Sequence, residues 1–291
     1  MMMRLVTLFT ALALGLAACG NNSQPMTLAT PSVPEAYQAR VDTGPNGEPV
    51  QIPAIRAAYL TERNQRQQVP YNGPEAPGTI VVDPYARVLY HVQPGGQAMR
   101  YGVAVGRAGT GYAGTATIAR KAAWPSWRPT DNMIRTQPDL YAQFAGGLSG
   151  GLHNPLGPRA LYLYEGGRDT YYRIHGTMDP SSVGKATSAG CIRLFNQDIM
   201  DLFGQVSNGT TVHVRSQAES LRYEGPMTET PEGYVEPAGQ PSVPAGAAAL
   251  APTAAAYPAT SMVTDPYAVT TISTPYSAPV TTISPVESAV Q

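Results

Sequence analysis

From Thr79 onward, short β-branched or aromatic runs alternate with turn residues. Thr79–Asp83, Arg87–Val92 and Gln97–Val105 are separated by Pro84-Tyr85-Ala86 and Pro94-Gly95-Gly96, a pattern that predicts three successive strands. Thr115–Arg120, Ala160–Tyr164, Thr170–His175 and Thr211–Val214 read the same way, and Gly166-Gly167 predicts a hairpin between two of them. The period then changes. Ile199, Leu202, Phe203 and Val206 recur at i, i+3, i+4 and i+7, one face of a helix. Asn196 is placed to cap it, Asp198 sits in its first turn where the dipole favours an acid, and Asn208-Gly209 ends it. A shorter helix is predicted between Pro53 and Gln67, with Ile55, Tyr59 and Leu60 on one side. Between the strands, Pro125–Arg159 has many Pro and Gly and little strand pattern. A stretch of that length in a compact domain predicts a lid, anchored by Trp124, Trp127, Tyr141 and Phe144, with a helical turn at Asp139–Phe144.

The ends of the chain lack this patterning. Residues 1–18 read as a signal peptide: Arg4, then an apolar run from Leu5 to Leu16, too short for the ~20 residues a spanning helix needs. Residues 19–70 are expected to be a flexible tether carrying the short helix, because 20–52 are rich in Pro, Gly, Asn, Ser and Thr. Residues 71–216 hold the predicted strands and form one domain. Residues 217–291 are expected to be a disordered tail: Pro, Ala, Thr and Ser dominate, and Val-Thr-Thr-Ile-Ser occurs at 269–273 and again at 280–284.

The net charge is −1 and charged residues make up 13% of the chain, so no basic surface argues for nucleic acid. Two cysteines are present. Cys191 lies in Ser188-Ala189-Gly190-Cys191-Ile192-Arg193, sixteen positions after His175. A cysteine is nucleophilic as thiolate, and at a pKa of about 8.5 it needs a base near neutral pH. His175 within reach would take the proton and leave an imidazolium beside a thiolate. Small neighbours leave the Gly190 and Cys191 backbone N–H groups open to a developing oxyanion. Arg193 shares a face with Cys191 if the segment is extended, and would pin a substrate carboxylate. One Cys and one His do not make a tetrahedral zinc site, so no metal or other cofactor is expected.

His175-Gly176 followed by Gly190-Cys191-Ile192-Arg193-Leu194, with Asn196 and Asp198 after it, resembles the catalytic domain of the L,D-transpeptidase (YkuD-type) family. The resemblance runs from about Gly78 to Val214, through Trp124-Pro125-Ser126-Trp127, Asn154-Pro155-Leu156-Gly157 and Ala160-Leu161-Tyr162-Leu163. Many family members have a second histidine just before the Gly-Cys pair, where this chain has Ala189. Leu16-Ala17-Ala18-Cys19 resembles a bacterial lipobox, which implies acylation of Cys19 and a periplasmic, membrane-anchored protein. Gly20 after that cysteine points, by analogy, to the outer membrane.

The resemblance implies a mainly β fold, a mixed β-sandwich or β-roll with one or two short helices and a long lid loop. It implies Cys191 as nucleophile, His175 as base and the Gly176 carbonyl as the group orienting the imidazole. Gly190 and Cys191 would form the oxyanion hole, and Ser188, Arg193, Tyr162 and Tyr164 would line the substrate site. Partners would be peptidoglycan stem peptides, a tetrapeptide donor and a diamino-acid acceptor, or a protein to be attached to the wall. A carboxypeptidase acting through the same acyl-enzyme, and a non-catalytic wall-binding lipoprotein, are the alternatives.

Overall fold

The structure, a computed structural model, describes residues 33–106, 112–188 and 190–239. Cys19, the expected signal peptide, Ala189 and the tail beyond residue 239 lie outside the described residues, as does the side chain of Ser188. The strands run β1 (Arg40–Thr43), β2 (Pro49–Ile52), β3 (Gln67–Pro70), β4 (Ile80–Asp83), β5 (Val88–Gln93), β6 (Gln97–Gly102), β7 (Val105–Gly106) and β8 (Gly114–Ala123). Helices α1 (Asp131–Thr136) and α2 (Pro138–Tyr141) follow, then β9 (Arg159–Glu165), β10 (Arg168–His175), β11 (Ala186–Ser188) and β12 (Ile192–Arg193). The described chain ends with α3 (Asn196–Gln205), β13 (Thr211–Val214), α4 (Gln217–Tyr223), β14 (Met227–Glu229) and β15 (Val235–Pro237). The protein is mainly β, with few and short helices.

Nine strands form one open mixed sheet in the order β12-β10-β9-β8-β13-β4-β5-β6-β3. Only β10/β12 and β13/β4 are parallel pairs within it. Alternation sends Ile80 and Val82 of β4, Ile118 of β8, Leu161 and Leu163 of β9 and Ile174 of β10 to one face. These side chains share a single cluster with Leu89, Tyr101 and the Ile199–Leu202 face of α3, so the sheet rolls and its two halves close on one core. Ala104 joins the rolled ends: its N–H donates to the Arg193 carbonyl (2.8 Å) and its carbonyl accepts from the Arg193 N–H (2.9 Å). Gly166 and Gly167 have φ of 54° and 78°, the left-handed pair that a two-residue turn between β9 and β10 demands.

Three expectations are corrected. Residues 33–70 are not a loose tether. Tyr37 and Ile55 are buried against Val183 and Phe195, and Ile52 is fully buried. Asp42 takes both guanidinium nitrogens of Arg159 at 2.7 and 3.0 Å, and the Trp124 Nε1–H donates to the Thr43 carbonyl at 2.7 Å. Average composition hid these few anchors. The helix predicted at 53–67 is a single 3-10 turn, Ala57–Tyr59, and Gln67–Pro70 pairs with β6 as the edge strand β3. Residues 217–239 of the expected tail are also folded. Ser216 and Glu219 form a reciprocal capping box for α4, and Met227 covers the outer cluster of Tyr71, Val88 and Tyr90. Arg215, almost fully buried, pairs with Asp83 and Glu224 and ties this segment to β4.

In the lid stretch, Trp127 contacts Tyr141 (6.4 Å) and Phe144 (6.0 Å), and its far end packs at Gly157 against Gly176. Among the described residues no helix is long and apolar enough to cross a membrane.

A chain trimmed to 77–214 should therefore melt well below one spanning 33–239, since it loses β3, Tyr37, Ile52, Ile55 and Arg215. In the longer chain, Tyr37→Ala should cost about 3–5 kcal/mol, as removal of a buried aromatic ring does. Denaturant titration of the three proteins checks both; equal midpoints would show that the flanks do not pack.

Candidate active site

The site begins with the hairpin β9–β10 and the short strand β12. Ile174 pairs with Ile192 and His175 with Arg193, and paired residues in a sheet share a face. Cys191 directly precedes Ile192 and so lies beside Arg173, whose backbone N–H hydrogen-bonds its sulfur. His175 and Cys191 are diagonal neighbours one strand apart, with Cα atoms about 8 Å from each other at ordinary strand spacing and rise. The same register sets Tyr162 of β9 opposite Arg173, and Ala160 opposite His175.

His175 is 3% exposed. Its Nδ1 lies 2.6 Å from the Gly176 carbonyl. A carbonyl only accepts, so Nδ1 carries the proton and Nε2 is left as the basic nitrogen. Residue 176 is glycine for a steric reason: a Cβ there would meet Asn196 Oδ1 at 2.4 Å and Pro158 Cδ at 2.9 Å. Asn196 was expected to cap α3, but Phe195 occupies the N-cap position with no side-chain bond. The Asn196 side chain instead accepts from the Thr177 N–H at 2.8 Å and holds the turn after His175. Asp198 sits in the first turn of α3, as expected, and is fully buried. Burial raises its pKa to about 8 despite Arg66 and the Tyr37 hydroxyl, which approach at 3.4 and 3.2 Å.

The electrostatics correct the expected ion pair. Burial, and then the charge of Arg193, lower His175 to about 3 against the raising effect of the Gly176 bond. Burial pushes the Cys191 thiol up, opposed by the Arg173 N–H and the charges of Arg173 and Arg193. Cys191 keeps partial exposure, which limits that rise. Both shifts favour the uncharged forms, a thiol and a neutral imidazole, over a thiolate–imidazolium pair.

Gly190 has a left-handed φ of 139°, which favours glycine, and its backbone with that of Cys191 forms the turn into β12. Ser188 pairs through its backbone with Gly106 on β7. Tyr162 is 6% exposed, while Tyr164, two residues on along β9, is half-buried. The Arg193 side chain has no carboxylate partner among the described residues, unlike the structural ion pair that arginines often form. A crevice lined by Val105, Tyr112, Tyr172 and Ile192 reaches Gly190 from the core side of the sheet, away from His175. Among the described residues no group of three or more His, Cys, Asp or Glu is placed to hold a metal.

Residues 77–214 match the family model described as the L,D-transpeptidase catalytic domain. That stretch, just under half of the chain, is identified as an L,D-transpeptidase catalytic domain. The probable L,D-transpeptidase YcfS of Escherichia coli K12 is 33% identical over 146 residues, which is 48% of this chain and 45% of that protein. The chain thus spans about half the length of the curated relatives it matches. A solved structure from Brucella melitensis, described as a probable carnitine operon oxidoreductase, is 46% identical. It covers 53% of this chain and 94% of its own, with a TM-score of 0.38. An L,D-transpeptidase from Mycobacterium smegmatis is 19% identical, covering 47% of this chain and 58% of its own, with a TM-score of 0.36.

Sequence reading overlooked Arg173 and Asp169 in this transpeptidase domain. Asp169 receives both nitrogens of Arg173 at 2.7 Å. Burial would raise Asp169, but the bonds from Arg173 and the Tyr171 N–H, with the charges of Arg173 and Arg120, leave it lowered. The period-two spacing of Arg173 and His175 was the available signal.

Alkylation of Cys191 by iodoacetamide should rise through pH 7–10 with no plateau on the acidic side, because a neutral pair holds no thiolate there. Arg193→Ala should move the profile to higher pH, since that charge favours the thiolate. A plateau near pH 5, or a shift in the opposite sense, would contradict the neutral pair.

Proposed function

We propose that the chain is a peptidoglycan L,D-transpeptidase that works through a Cys191 thioester. The observation that carries this reading is the β10/β12 register, which sets Cys191 one strand from His175, with the His175 Nδ1 bonded to the Gly176 carbonyl so that Nε2 is left as base. The sulfur attacks the carbonyl of the diamino acid at stem position three as its proton passes to Nε2. The oxyanion is met by the N–H groups of Gly190 and Cys191. Collapse breaks the C–N bond, and the imidazolium hands its proton to the departing amine of the terminal D-Ala. The side-chain amine of a neighbouring stem then attacks the thioester and gives a proton to His175. The new amide forms and the thiol is restored. The thioester conserves the acyl free energy of the cleaved bond, so no nucleotide is needed. Arg193 sits in the row of His175, where the leaving D-Ala carboxylate is released. Acylation of Cys19 would hold the domain at a periplasmic membrane surface, the outer membrane by the Gly20 argument.

Digestion of purified muropeptides followed by mass spectrometry is the test. Cross-linked dimers are expected from the native chain and none from Cys191→Ser. Tripeptide without dimer would instead show a carboxypeptidase, and unchanged muropeptides a non-catalytic wall protein. His175→Ala should lower turnover by at least about 10²-fold, the range of general-base assistance, with Ala189 offering no second imidazole. Turnover within a few-fold of the native chain would place the base elsewhere.

A further inference from the structure

Arg120 stands on the same face of the sheet as the thiol, and a β-bulge puts it there. Ile118 of β8 pairs with Leu163, on the core side, and two-residue alternation would send Arg120 inward as well. The register shifts between them, so that Arg120 pairs with Tyr162 instead and turns to the outer face. A second irregularity, between Asp169 and Arg173 of β10, leaves Arg173 opposite the same tyrosine. The result is a row running across the strands: Arg120, Tyr162, Arg173, then Cys191.

Within this row the two arginines are not equivalent. Both oxygens of Asp169 are taken by Arg173. Arg173 then rests 4.5 Å from the centre of the Tyr162 ring, and Arg120 rests 3.5 Å from it. Arg120 is exposed, and its guanidinium meets no hydrogen-bond acceptor among the described residues. The ring backs the guanidinium, and the side chain stays exposed to a ligand from outside. That is the geometry a carboxylate fills with two parallel bonds.

We infer that Arg120 is a specificity-determining residue that grips a second carboxylate of the donor stem, six or seven bonds from the carbonyl that Cys191 attacks. The inference rests on the transpeptidase reading above. Its distances agree with the chemistry. The guanidinium over Tyr162 lies two strand spacings from Cys191, roughly 10 Å. Six or seven bonds in an extended chain cover ~7–8 Å, and a hydrogen bond adds ~3 Å. The terminal D-Ala carboxylate is only three bonds from the scissile carbonyl. It suits Arg193, beside His175, and is too close to reach Arg120. Two carboxylates of a stem peptide fall at the longer distance: that of the glutamyl residue before the diamino acid, and the remote one of a diaminopimelate at position three.

The test compares the full-length native chain with Arg120→Ala and Arg120→Lys on three donor tetrapeptides. The first carries both carboxylates, the second has the glutamyl carboxylate amidated, and the third has lysine in place of diaminopimelate. On the first donor, Arg120→Ala should lower kcat/KM about 10-fold or more, mainly through KM, the scale of a lost charge-assisted bond. Arg120→Lys should keep part of the activity, and alkylation of Cys191 by iodoacetamide should be unchanged in both variants. One altered donor should be turned over at the lowered rate by the native chain and no worse by Arg120→Ala. That donor names the carboxylate that is gripped. If Arg120→Ala matches the native chain on all three donors, or slows all three equally, the arginine assignment falls while the transpeptidase reading stands. If the native chain turns over none of them, both fall. Arg120→Gln, which keeps a stem over Tyr162, replaces the alanine variant should that variant fail to fold.

Discussion

The parallel pairing of β10 with β12 places Arg193 beside His175 and Cys191 beside Arg173, and the other contacts of the site are subordinate to it. The pairing is only two residues long, so it depends on support from outside the ladder. Ala104 binds the far edge of β12, and the Leu194 N–H donates to the His175 carbonyl at 2.9 Å. Asn196 ties the first turn of α3 to the loop leaving β10. Ile174 and Ile192 bury the opposite face in the core, so any slip of register would expose them. The excursion from 176 to 190 therefore starts and ends at fixed points, and its middle is pinned by Val183 in the cluster of Tyr37 and Ile55 and by the pairing of β11 with β7.

Burial at this pairing sets the chemistry. Enclosing His175 costs it its charge, and the nearby Arg193 adds to that effect. The same arginine, with Arg173, favours negative charge on the sulfur, so the positive field acts on the thiol and the imidazole in complementary ways. In the proposed mechanism, an imidazole held neutral by burial is ready to accept the thiol proton. It pays for that with weak basicity until the developing thiolate draws positive charge toward it. The Gly176 carbonyl offsets part of this by stabilising the protonated ring.

Much of this was legible in the chain. The longer strands announced themselves as β-branched or aromatic runs bounded by turn residues, and in β4 and β5 both faces are buried. The β9–β10 hairpin was readable from two glycines alone, and His175, Gly176 and Cys191 stood out by residue type and spacing. What escaped had physical reasons. A few buried side chains, Tyr37, Ile52 and Ile55, with the Asp42–Arg159 pair, hold residues 33–70 in place, too few to alter the composition of a stretch rich in Pro and Gly. The Ser216–Glu219 capping box was a readable start for α4, but the low-complexity sequence that follows masked it. Arg120 was hidden differently: its face is decided by a bulge, and a bulge breaks the very period from which faces are inferred.

The bond between Ala104 and Arg193 also constrains how a substrate can arrive. Both outward main-chain groups of Arg193 are spent on it, so an incoming peptide cannot extend the sheet at β12 as an added strand. On the inference drawn above, it lies across the side chains, along the row that runs from Arg120 to Cys191. Recognition by strand addition requires a regular L-peptide backbone, whereas recognition across a face does not. A polymer with D-residues and side-chain linkages has no regular ladder to offer. If the proposed function holds, the closed edge would disfavour polypeptides that dock by their backbones and leave the thiol to substrates read by their charges.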